Sequence, residues 1–388
     1  MDFKFSDEQA AIFAGVARIC AAYDRRYWRQ CDGDGRFPDE FFRDIAKAGL
    51  LGIMMPPDYG GAGLGLVEAA RIVQIIAETG GGWTATSSMH SYIFAPHPLV
   101  VHGSDAQRRD WLVPLLKGEH RAAFGVTEPD AGLDTTRLRT FARRDGSDYV
   151  IRGRKIWTTG ALRANKILLI ARTTPVEATH RPMDGLSLFY TDLDRSRIEV
   201  RAIPKLGLSA NASCQLFIDD LRVPQSHRIG DEGKGFSYLL DGLNPERVLV
   251  AAEAIGVGRA ALDLATAYAK DRVVFGRPIG QNQAIQHPLA QCWANLEAAD
   301  LMTFKAASAY DAREPCGPHA NAAKLLAADA GLQACETAIM THGGMGYAKE
   351  FDVERLFREI FIPRLAPVSK QLILCFLAER VLGLPKSY

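Results

Sequence analysis

The order of residue types along the chain restricts its fold more than any single motif does. Up to about residue 120, apolar residues recur at helical spacing, beginning behind Ser6, which with Glu8 and Gln9 suits a helix N-terminus. From about residue 122 to 223, β-branched and aromatic residues form short runs separated by Gly, Pro and Asp, which is typical of strands. After Gly235 the chain is rich in Ala and Leu, and helical periodicity returns.

This order predicts an α+β fold with three domains. We expect an N-terminal helical domain over residues 1–120, a middle β domain over 121–229 and a C-terminal helical bundle domain over 230–388. A chain of 388 residues exceeds what one hydrophobic core usually organises, so more than one domain is the ordinary expectation.

The first domain carries further local signals. A second helix is expected after Pro38, with an apolar face from Phe41 to Ala46 and a stop at Gly49. Helical patterns return over residues 66–78 and again around 106–116. The sequence therefore predicts at least four helices before the strand-rich part.

Charge and cysteine content favour a reduced, aqueous compartment. The 46 Lys and Arg residues nearly balance the 45 Asp and Glu residues, so no excess charge favours nucleic acid or an anionic membrane as a partner. Seven scattered cysteines without a CxxC pair indicate reduced thiols. We find no run approaching about eighteen apolar residues, and the acidic N-terminus does not resemble a secretory signal. We expect a cytoplasmic protein that binds neither nucleic acid nor membranes.

Several common site types find no support. Gly256-Val257-Gly258 has the letters of a dinucleotide-binding loop, but it lies in an Ala-rich helix with no strand before it, where small residues more often permit close helix packing. No metal-ligand spacing such as HExxH occurs among the nine histidines, so no metal site is expected. A GxSxG elbow is absent, and hydrolase chemistry has no positive support.

Three separated clusters have compositions that suit a functional site. Residues Phe124–Asp134 form a loop-forming run that opens the strand-rich part. Residues Lys155–Gly160 place an aromatic residue and two hydroxyls at a strand end, and Thr341–Tyr347 contains glycines that allow close backbone approach after a helix. As ordinary structure, the clusters would be two turns and a helix C-cap.

Together and in this order, the clusters resemble those of the acyl-CoA dehydrogenase family, and the resemblance extends over essentially the whole chain. It implies that family's fold: an N-terminal helical domain, a middle β-barrel-like domain and a C-terminal four-helix bundle. Further matching segments are Arg36-Phe37-Pro38, Ala48–Gly52, Gly233–Phe236, Asp271-Arg272, Phe275-Gly276 and Gln283.

The resemblance implies an FAD site. An indole stacks well on a flavin, hydroxyls suit its polar rim, and an arginine can pair with the pyrophosphate. Part of the site would come from a second subunit, so the resemblance also implies a homo-oligomer, usually a homotetramer, with acyl-CoA as substrate and an electron-transfer flavoprotein as acceptor. By position, the cofactor contacts would be Phe124, Val126, Thr127, Trp157, Thr158, Thr159, Arg272, Phe275, Gln283, Gly343, Gly344, Ser369 and Gln371.

The catalytic base is the point at which this sequence departs from most of the family. The family removes an α-proton from an acyl-CoA thioester with a carboxylate, while a hydride passes to the flavin. The commonest position of that glutamate aligns with Pro367, which has neither a carboxylate nor the N–H that polarises the thioester carbonyl in relatives. In isovaleryl-CoA and long-chain members the glutamate precedes an arginine on the helix after the β domain. The resemblance thus implies Glu246 as base, with Asn244, Arg247 and Leu133 beside the substrate.

Other interpretations of these residues stay open. Pro245 at a first helical position, followed by an acid, is also ordinary helix capping. Leu133 and Met340 stand where the family usually has polar residues. The candidate functions are an acyl-CoA dehydrogenase, a flavin oxidase, monooxygenase or enoyl-CoA reductase on the same fold, and a catalytically silent flavin- or CoA-binding protein. The presence of Glu246 favours the first.

Overall fold

The computed structural model describes residues 4–387 and is helical at both ends of the chain, with a β-sheet between them. This is the α+β arrangement that the order of residue types predicts. The helices before the sheet are α1 (Asp7–Ala21), α2 (Arg25–Asp34), α3 (Asp39–Lys47), α4 (Leu66–Ile76), α5 (Gly82–Ser87), α6 (His90–Phe94), α7 (His97–His102), α8 (Asp105–Gln107) and α9 (Val113–Leu116).

The first helices begin and end largely where the sequence predicts. The Ser6 hydroxyl accepts a hydrogen bond from the Gln9 N–H at 3.2 Å, and the Gln9 side chain accepts one from the Ser6 N–H at 2.9 Å, which is the expected capping box of α1. Helix α3 follows Pro38 and ends just before Gly49, whose φ of 74° is readily adopted by glycine. Helix α2, capped by Asp24, was not predicted.

Eight strands form one sheet: β1 (Ala122–Gly125), β2 (Phe141–Asp145), β3 (Asp148–Thr159), β4 (Lys166–Arg172), β5 (Leu186–Asp192), β6 (Ile198–Ala202), β7 (Ser213–Pro224) and β8 (Arg228–Ile229). The strand order is β6-β7-β3-β2-β4-β5-β8, and β1 pairs in parallel with β4. The two longest strands, β3 and β7, pair antiparallel and are the third and second strands of this order. Strands β6 and β8 lie at the two ends of this order and do not pair within the described residues. The sheet is therefore open, whereas a barrel-like domain was expected.

Up to residue 387, the C-terminal part contains three long α-helices and three short ones. The long helices pack against one another, and the short ones pack mainly on the third long helix. The short helices thus take the place of the fourth bundle helix that was expected. A two-stranded hairpin, β9 (Val273–Val274) and β10 (Arg277–Pro278), separates the first two long helices. The helices are α10 (Gly235–Asp271), α11 (Gln283–Asp311), α12 (Gly317–His342), α13 (Val353–Glu359), α14 (Ile362–Leu365) and α15 (Lys370–Arg380).

Glycines in α10 permit close helix packing, as the sequence predicts. A Cβ on Gly256 would lie 2.5 Å from the Gln74 carbonyl oxygen, and one on Gly258 would lie 2.7 Å from Leu296 Cδ2. Because neither space can hold a methyl group, these glycines bring α4 and α11 against α10.

Helix α4 receives its N-terminal cap from a residue in the last domain. The Leu66 N–H donates to Asp311 Oδ1 at 2.7 Å, and the Val67 N–H donates to Asp311 Oδ2 at 3.0 Å. A Cβ on Gly65 would lie 2.5 Å from the same carboxylate, so glycine is needed for this close approach. The cap fixes the N-terminal helices to the C-terminal end of α11.

One segment near the C-terminus is more apolar than expected from the sequence. Val353–Arg380 has the length and composition of a membrane-crossing helix, with mean hydropathy of 1.5 in its most apolar window. It is divided into α13, α14 and α15, and a single such segment is weak evidence for a membrane span.

Candidate active site

The end of β1 and the end of β3 bring the first two sequence clusters together. The Ile156 N–H donates to the Thr127 carbonyl at 2.9 Å, so the chain after β1 runs beside the last residues of β3. Val126 and Thr127 therefore lie next to Trp157 and Thr158. The two segments are about thirty residues apart in sequence, so the sequence alone does not reveal this contact. The parallel pairing of β1 with β4 fixes the position of β1 in the sheet.

A buried ion pair holds these two segments in place. Lys155 Nζ lies 2.8 Å from Glu128 Oε1 and donates to the Val126 carbonyl at 2.9 Å. Glu128 also accepts the backbone N–H groups of Arg139 and Thr140. Burial lowers the pKa of Lys155 to about 8, although Glu128 opposes that shift. Sequence reasoning placed both residues in the clusters but assigned them no role.

The strand irregularity at Trp157 turns its indole outward. The pairing of β3 with β7 shifts register between Lys155 and Thr158, and Trp157 adopts a φ of 60° with 54 % of its surface exposed. Bulges of this kind redirect side chains near active sites. The outward indole is a flat apolar surface beside the Val126–Thr127 segment, which is the arrangement needed to cover a flavin ring.

The two threonines after Trp157 differ in their hydrogen bonding. Thr158 is buried, and its Oγ1 has no hydrogen-bond partner among residues 4–387. Thr159 Oγ1 instead lies 2.9 Å from Ser213 Oγ. An unpaired buried hydroxyl is unusual and indicates a missing partner such as a bound cofactor. The residues at this end of the sheet therefore fit FAD.

The other predicted cofactor residues gather at one end of the helical bundle. Tyr268 near the end of α10 stacks on His342 at the end of α12 with ring centroids 4.3 Å apart. Arg272, Phe275 and Gln283 follow α10, and the backbone bond from the Ile279 N–H to the Arg272 carbonyl folds the hairpin back on itself.

Those bundle residues are exposed and unobstructed. Phe275 is fully exposed, and Arg272 makes no ion pair within the described part of the chain. Apart from the adjoining residues of the chain, no atom of residues 4–387 lies within 4 Å of a Cβ placed on Gly343 or Gly344, so their surroundings leave room for a ligand. Within residues 4–387, strands β1 and β3 do not pack extensively on the ends of α10 and α12, so these two sets of predicted cofactor residues lie in different parts of one chain.

Two predicted cofactor residues lie at the start of α15. Ser369 is the N-cap of that helix, and its Oγ accepts a hydrogen bond from the Leu372 N–H at 3.3 Å. Gln371 is exposed one residue beyond the helix start. The Ser369 hydroxyl therefore already has a structural role.

Glu246 lies in the interior of the protein on α10. It is 9 % exposed, and its carboxylate makes no side-chain hydrogen bond within residues 4–387. Burial raises the pKa of Glu246 to about 7, while His90, Arg247 and Lys324 oppose that rise. Lack of hydrogen bonds and a pKa near neutrality are the properties of a general base.

The capping interpretation of Glu246 is wrong. Helix α10 begins at Gly235, so Pro245 is inside the helix and Glu246 is not in its first turn. A local rule suggested a helix start because proline is common at that position. Here the proline is tolerated within the helix, at the loss of one backbone hydrogen bond.

Cationic side chains surround Glu246. Arg247 donates to Asn244 Oδ1 at 2.9 Å, and its buried Nε has no partner within the described chain. Lys324 on α12 is almost fully buried and donates to the Val368 carbonyl. Burial lowers the pKa of Lys324 to about 8. Lys324 thus connects the neighbourhood of Glu246 to the loop that contains Pro367.

Two residues that depart from the family pattern are exposed. Leu133 is 62 % exposed in the loop after β1, and Met340 is 74 % exposed near the end of α12. Neither contributes a polar group to the site. Among the described residues, no cluster of three or more His, Cys, Asp or Glu side chains has the arrangement of a metal site.

Three family models match consecutive parts of the chain. They are described as the acyl-CoA dehydrogenase N-terminal domain over residues 6–119, the middle domain over 123–221 and the C-terminal domain over 233–380. The chain belongs to the acyl-CoA dehydrogenase family. This acyl-CoA dehydrogenase homologue is 35 % identical over 392 aligned residues to acyl-CoA dehydrogenase FadE12 of Mycobacterium tuberculosis, covering 100 % of this chain and 99 % of the relative.

A second relative has a reductase name. The caffeyl-CoA reductase-Etf complex subunit CarC of Acetobacterium woodii is 33 % identical, with 85 % of this acyl-CoA dehydrogenase homologue and 86 % of the relative covered. Family membership is therefore shared by proteins named for opposite directions of the same redox change.

Solved structures show the same fold. Butyryl-CoA dehydrogenase of Megasphaera elsdenii has a TM-score of 0.92 and 27 % identity, covering 98 % of this chain and 100 % of that one. An FAD complex of PigA has a TM-score of 0.93 and 26 % identity, covering 99 % of this chain and 100 % of that one. This acyl-CoA dehydrogenase homologue is a flavoprotein oxidoreductase with FAD as its cofactor.

Proposed function

We propose that the protein catalyses α,β-dehydrogenation of an acyl-CoA thioester, with Glu246 as the base that removes the α-proton. The observation that carries this proposal is the state of Glu246: buried, without a hydrogen bond in the described chain, and with its pKa raised to about 7. A base of that pKa accepts a proton well near neutral pH.

The proton and the electrons are accounted for separately. The α-carbon C–H bond breaks and its proton goes to a Glu246 oxygen, while the β-carbon loses a hydride and a Cα–Cβ double bond forms. FAD, when bound, supplies the two-electron acceptor for that hydride. Burial of Glu246 limits its contact with water and keeps the carboxylate poorly solvated, which strengthens it as a base.

The thioester carbonyl needs a hydrogen-bond donor, and Pro367 has no N–H. We assign this role to the Val368 N–H, which makes no hydrogen bond within residues 4–387. The Val368 carbonyl accepts a hydrogen bond from Lys324, so the loop that contains Pro367 and Val368 has a defined position. Arg247 and Asn244 would then line the substrate side of Glu246, as the resemblance implies.

The exposed end of the bundle supports a cofactor site shared between subunits. Phe275 and Tyr347 are 101 % and 88 % exposed, respectively, which is unusual for large aromatic side chains unless another surface covers them. We assign Arg272, Phe275, Gln283, Gly343 and Gly344 to FAD bound across such a contact, in a homotetramer.

We also propose an electron acceptor and a cellular compartment for the protein. The similarity to a subunit of a reductase-Etf complex supports an electron-transfer flavoprotein as the partner that reoxidises FAD. All seven cysteines are free thiols, which supports the cytoplasm as the compartment.

Anaerobic titration with a panel of acyl-CoAs, followed at the flavin absorbance, tests the proposed reaction. The wild-type protein should bleach with its substrate, and Glu246→Gln should lower the bleaching rate by about 10²- to 10⁴-fold. Asp263→Asn, an exposed acid on the same helix, is the matched control and should bleach as the wild type does. Undiminished bleaching by Glu246→Gln would exclude it as the base.

A second candidate is enoyl-CoA reduction by the same site, favoured by the similarity to CarC. A Glu246 carboxyl with a pKa near 7 can donate a proton to the α-carbon as readily as it accepts one. Mixing the dithionite-reduced protein with enoyl-CoAs tests this direction. Fast flavin reoxidation by an enoyl-CoA, combined with absence of bleaching by every acyl-CoA, would favour the reductase.

A further inference from the structure

A second buried carboxylate on α10 has no role in the mechanism described so far. Glu253 is fully buried, and its Oε1 lies 3.0 Å from His90 Nδ1. Its Oε2 is also buried and has no hydrogen-bond partner within the described residues. A buried carboxylate is costly unless a cation balances it, and His90 is the group in hydrogen-bonding contact with it.

The His90–Glu253 pair lies close to the proposed base. Glu253 follows Glu246 by seven residues on α10, which is two helical turns, so the two side chains share one face about 10 Å apart along the axis. His90 begins α6, which packs against that face, and its ring lies 4.9 Å from the ring of Phe94. The Phe94 ring in turn lies 6.0 Å from Phe124, a predicted flavin contact.

The charged groups that face Glu246 come from three helices. They are His90 on α6, Arg247 and Glu253 on α10, and Lys324 on α12. After burial, which raises the pKa of Glu246, His90 has the largest effect and lowers that pKa, whereas Glu253 raises it less. The positive charge of His90 therefore acts on Glu246 more strongly than the negative charge of Glu253 does.

The same geometry favours a charged imidazole. Burial alone lowers the pKa of His90, but the charge and hydrogen bond of Glu253, with a smaller contribution from Glu246, raise it overall. The ring is hydrogen-bonded on the side of Glu253, which fixes its orientation.

We propose that His90 is a positioning residue for the reaction: its imidazolium, kept charged by Glu253, maintains the buried Glu246 as a carboxylate near neutral pH. This proposal rests on the assignment of Glu246 as the base. His90 transfers no proton to the substrate and acts only through Glu246. Removal of the imidazolium leaves the chemistry of the base intact but makes its ionised form harder to reach.

The pH profile of flavin reduction in the FAD-loaded protein tests the proposal. His90→Gln keeps a donor for Glu253 but removes the positive charge, so the acid limb of the profile should move to higher pH. We expect the reduction rate at pH 6 to fall by about 3- to 10-fold and the rate at pH 9 to stay within about twofold of wild type. A profile that coincides with that of the wild type would overturn the proposal.

His227→Gln is the matched control, because His227 is a partly buried histidine bonded to Thr191 in the middle sheet. Its profile should coincide with that of the wild type, and a shift equal to that of His90→Gln would overturn a specific role for His90. If His90→Gln does not fold, the double variant His90→Gln/Glu253→Gln replaces the ion pair by two amides that can bond to each other. The acid limb should again move upward, and its failure to move would overturn the proposal.

A measurement without substrate separates this proposal from the proposed function. The carboxylic acid infrared band of Glu246, identified by its loss in Glu246→Gln, should titrate at higher pH in His90→Gln than in the wild type. If Glu246→Gln bleaches normally, the base assignment fails. If Glu246→Gln is inactive while His90→Gln changes neither the infrared titration nor the pH profile, only the role of His90 fails.

Discussion

Lys155 Nζ lies 2.8 Å from Glu128 Oε1, and both side chains are buried. Water therefore cannot solvate either charge if its partner is removed. Removal of one member would leave a buried charge with no counterion. Lys155→Met should therefore lower the free energy of unfolding of the apoprotein by about 3 to 5 kcal/mol in urea denaturation. The addition of Glu128→Gln should recover part of that loss, because the uncompensated charge is gone.

The exposed pair Arg152–Asp220 is the matched control for Lys155. Both of its members are well exposed, at 67 % and 39 %. Arg152→Met should cost less than about 1 kcal/mol, because exposed ion pairs contribute little. Equal losses for Lys155→Met and Arg152→Met would contradict the view that burial makes the Lys155–Glu128 pair important.

Glu246 should make stability depend on pH in a defined direction. Burial raises the pKa of Glu246 from 4.5 to about 7, so between these values the folded state binds more protons than the unfolded state. Stability from this group is therefore greatest below pH 4.5 and falls as pH rises to about 7. At pH 8, Glu246→Gln should stabilise the apoprotein, by at most on the order of 3 kcal/mol.

Denaturation of the wild type and Glu246→Gln at pH 5 and pH 8 measures this effect. The difference in unfolding free energy between the two proteins should be small at pH 5 and large at pH 8. Asp263→Asn, which changes an exposed acid, should show the same small difference at both values. A Glu246→Gln difference independent of pH would show that the carboxyl titrates normally.

Thr158 and Thr159 should respond in opposite ways to the same substitution. Thr158→Val replaces a buried hydroxyl without a partner, so apoprotein stability should stay within about 0.5 kcal/mol or rise. Loss of a hydrogen bond to FAD should weaken flavin binding by about fivefold in Kd, measured by titration of the apoprotein with FAD.

Thr159→Val is the complementary variant. It breaks the Thr159–Ser213 hydrogen bond and should destabilise the apoprotein by about 1 kcal/mol. An unchanged Kd for FAD in Thr158→Val would mean that the orphan hydroxyl does not contact the cofactor.

The cap that Asp311 provides to α4 should be measurable locally. Asp311→Ala removes the acceptor for the Leu66 and Val67 N–H groups and should cost about 1 to 2 kcal/mol. Hydrogen exchange of the amides at the start of α4 should accelerate, while Asp263→Ala leaves them unchanged. Protection that survives Asp311→Ala would show that packing alone holds this helix end.

Sequence patterns predicted the elements whose stabilisation is local. The capping box at Ser6 and the strand-rich middle follow from residue preferences that act over a few positions. Helix α2 was missed because its sequence is mostly polar, and only Trp28, Cys31 and Asp32 are buried. Too few apolar positions recur to reveal its period.

In the candidate site, too, contacts between residues far apart in sequence could not be predicted from local patterns. Glu246 was identified through resemblance, but the local proline rule suggested a helix start well after the real one at Gly235. The His90–Glu253 contact joins residues 163 positions apart, and its only sequence signal is an acid inside an apolar helical run. The pairing of Lys155 with Glu128 depends on how the chain after β1 lies beside β3, which no short window of sequence specifies.

The position of Asp311 affects when the first domain can be completed during synthesis. The N–H groups at the start of α4 find their acceptor 245 residues later in the chain. At about 5 to 20 residues per second, the ribosome needs roughly 12 to 50 s to deliver it. Until then the start of α4 lacks this cap, and the surface of α4 that will meet the end of α11 is still uncovered. The nascent chain would therefore be most in need of a chaperone before residue 311 leaves the exit tunnel.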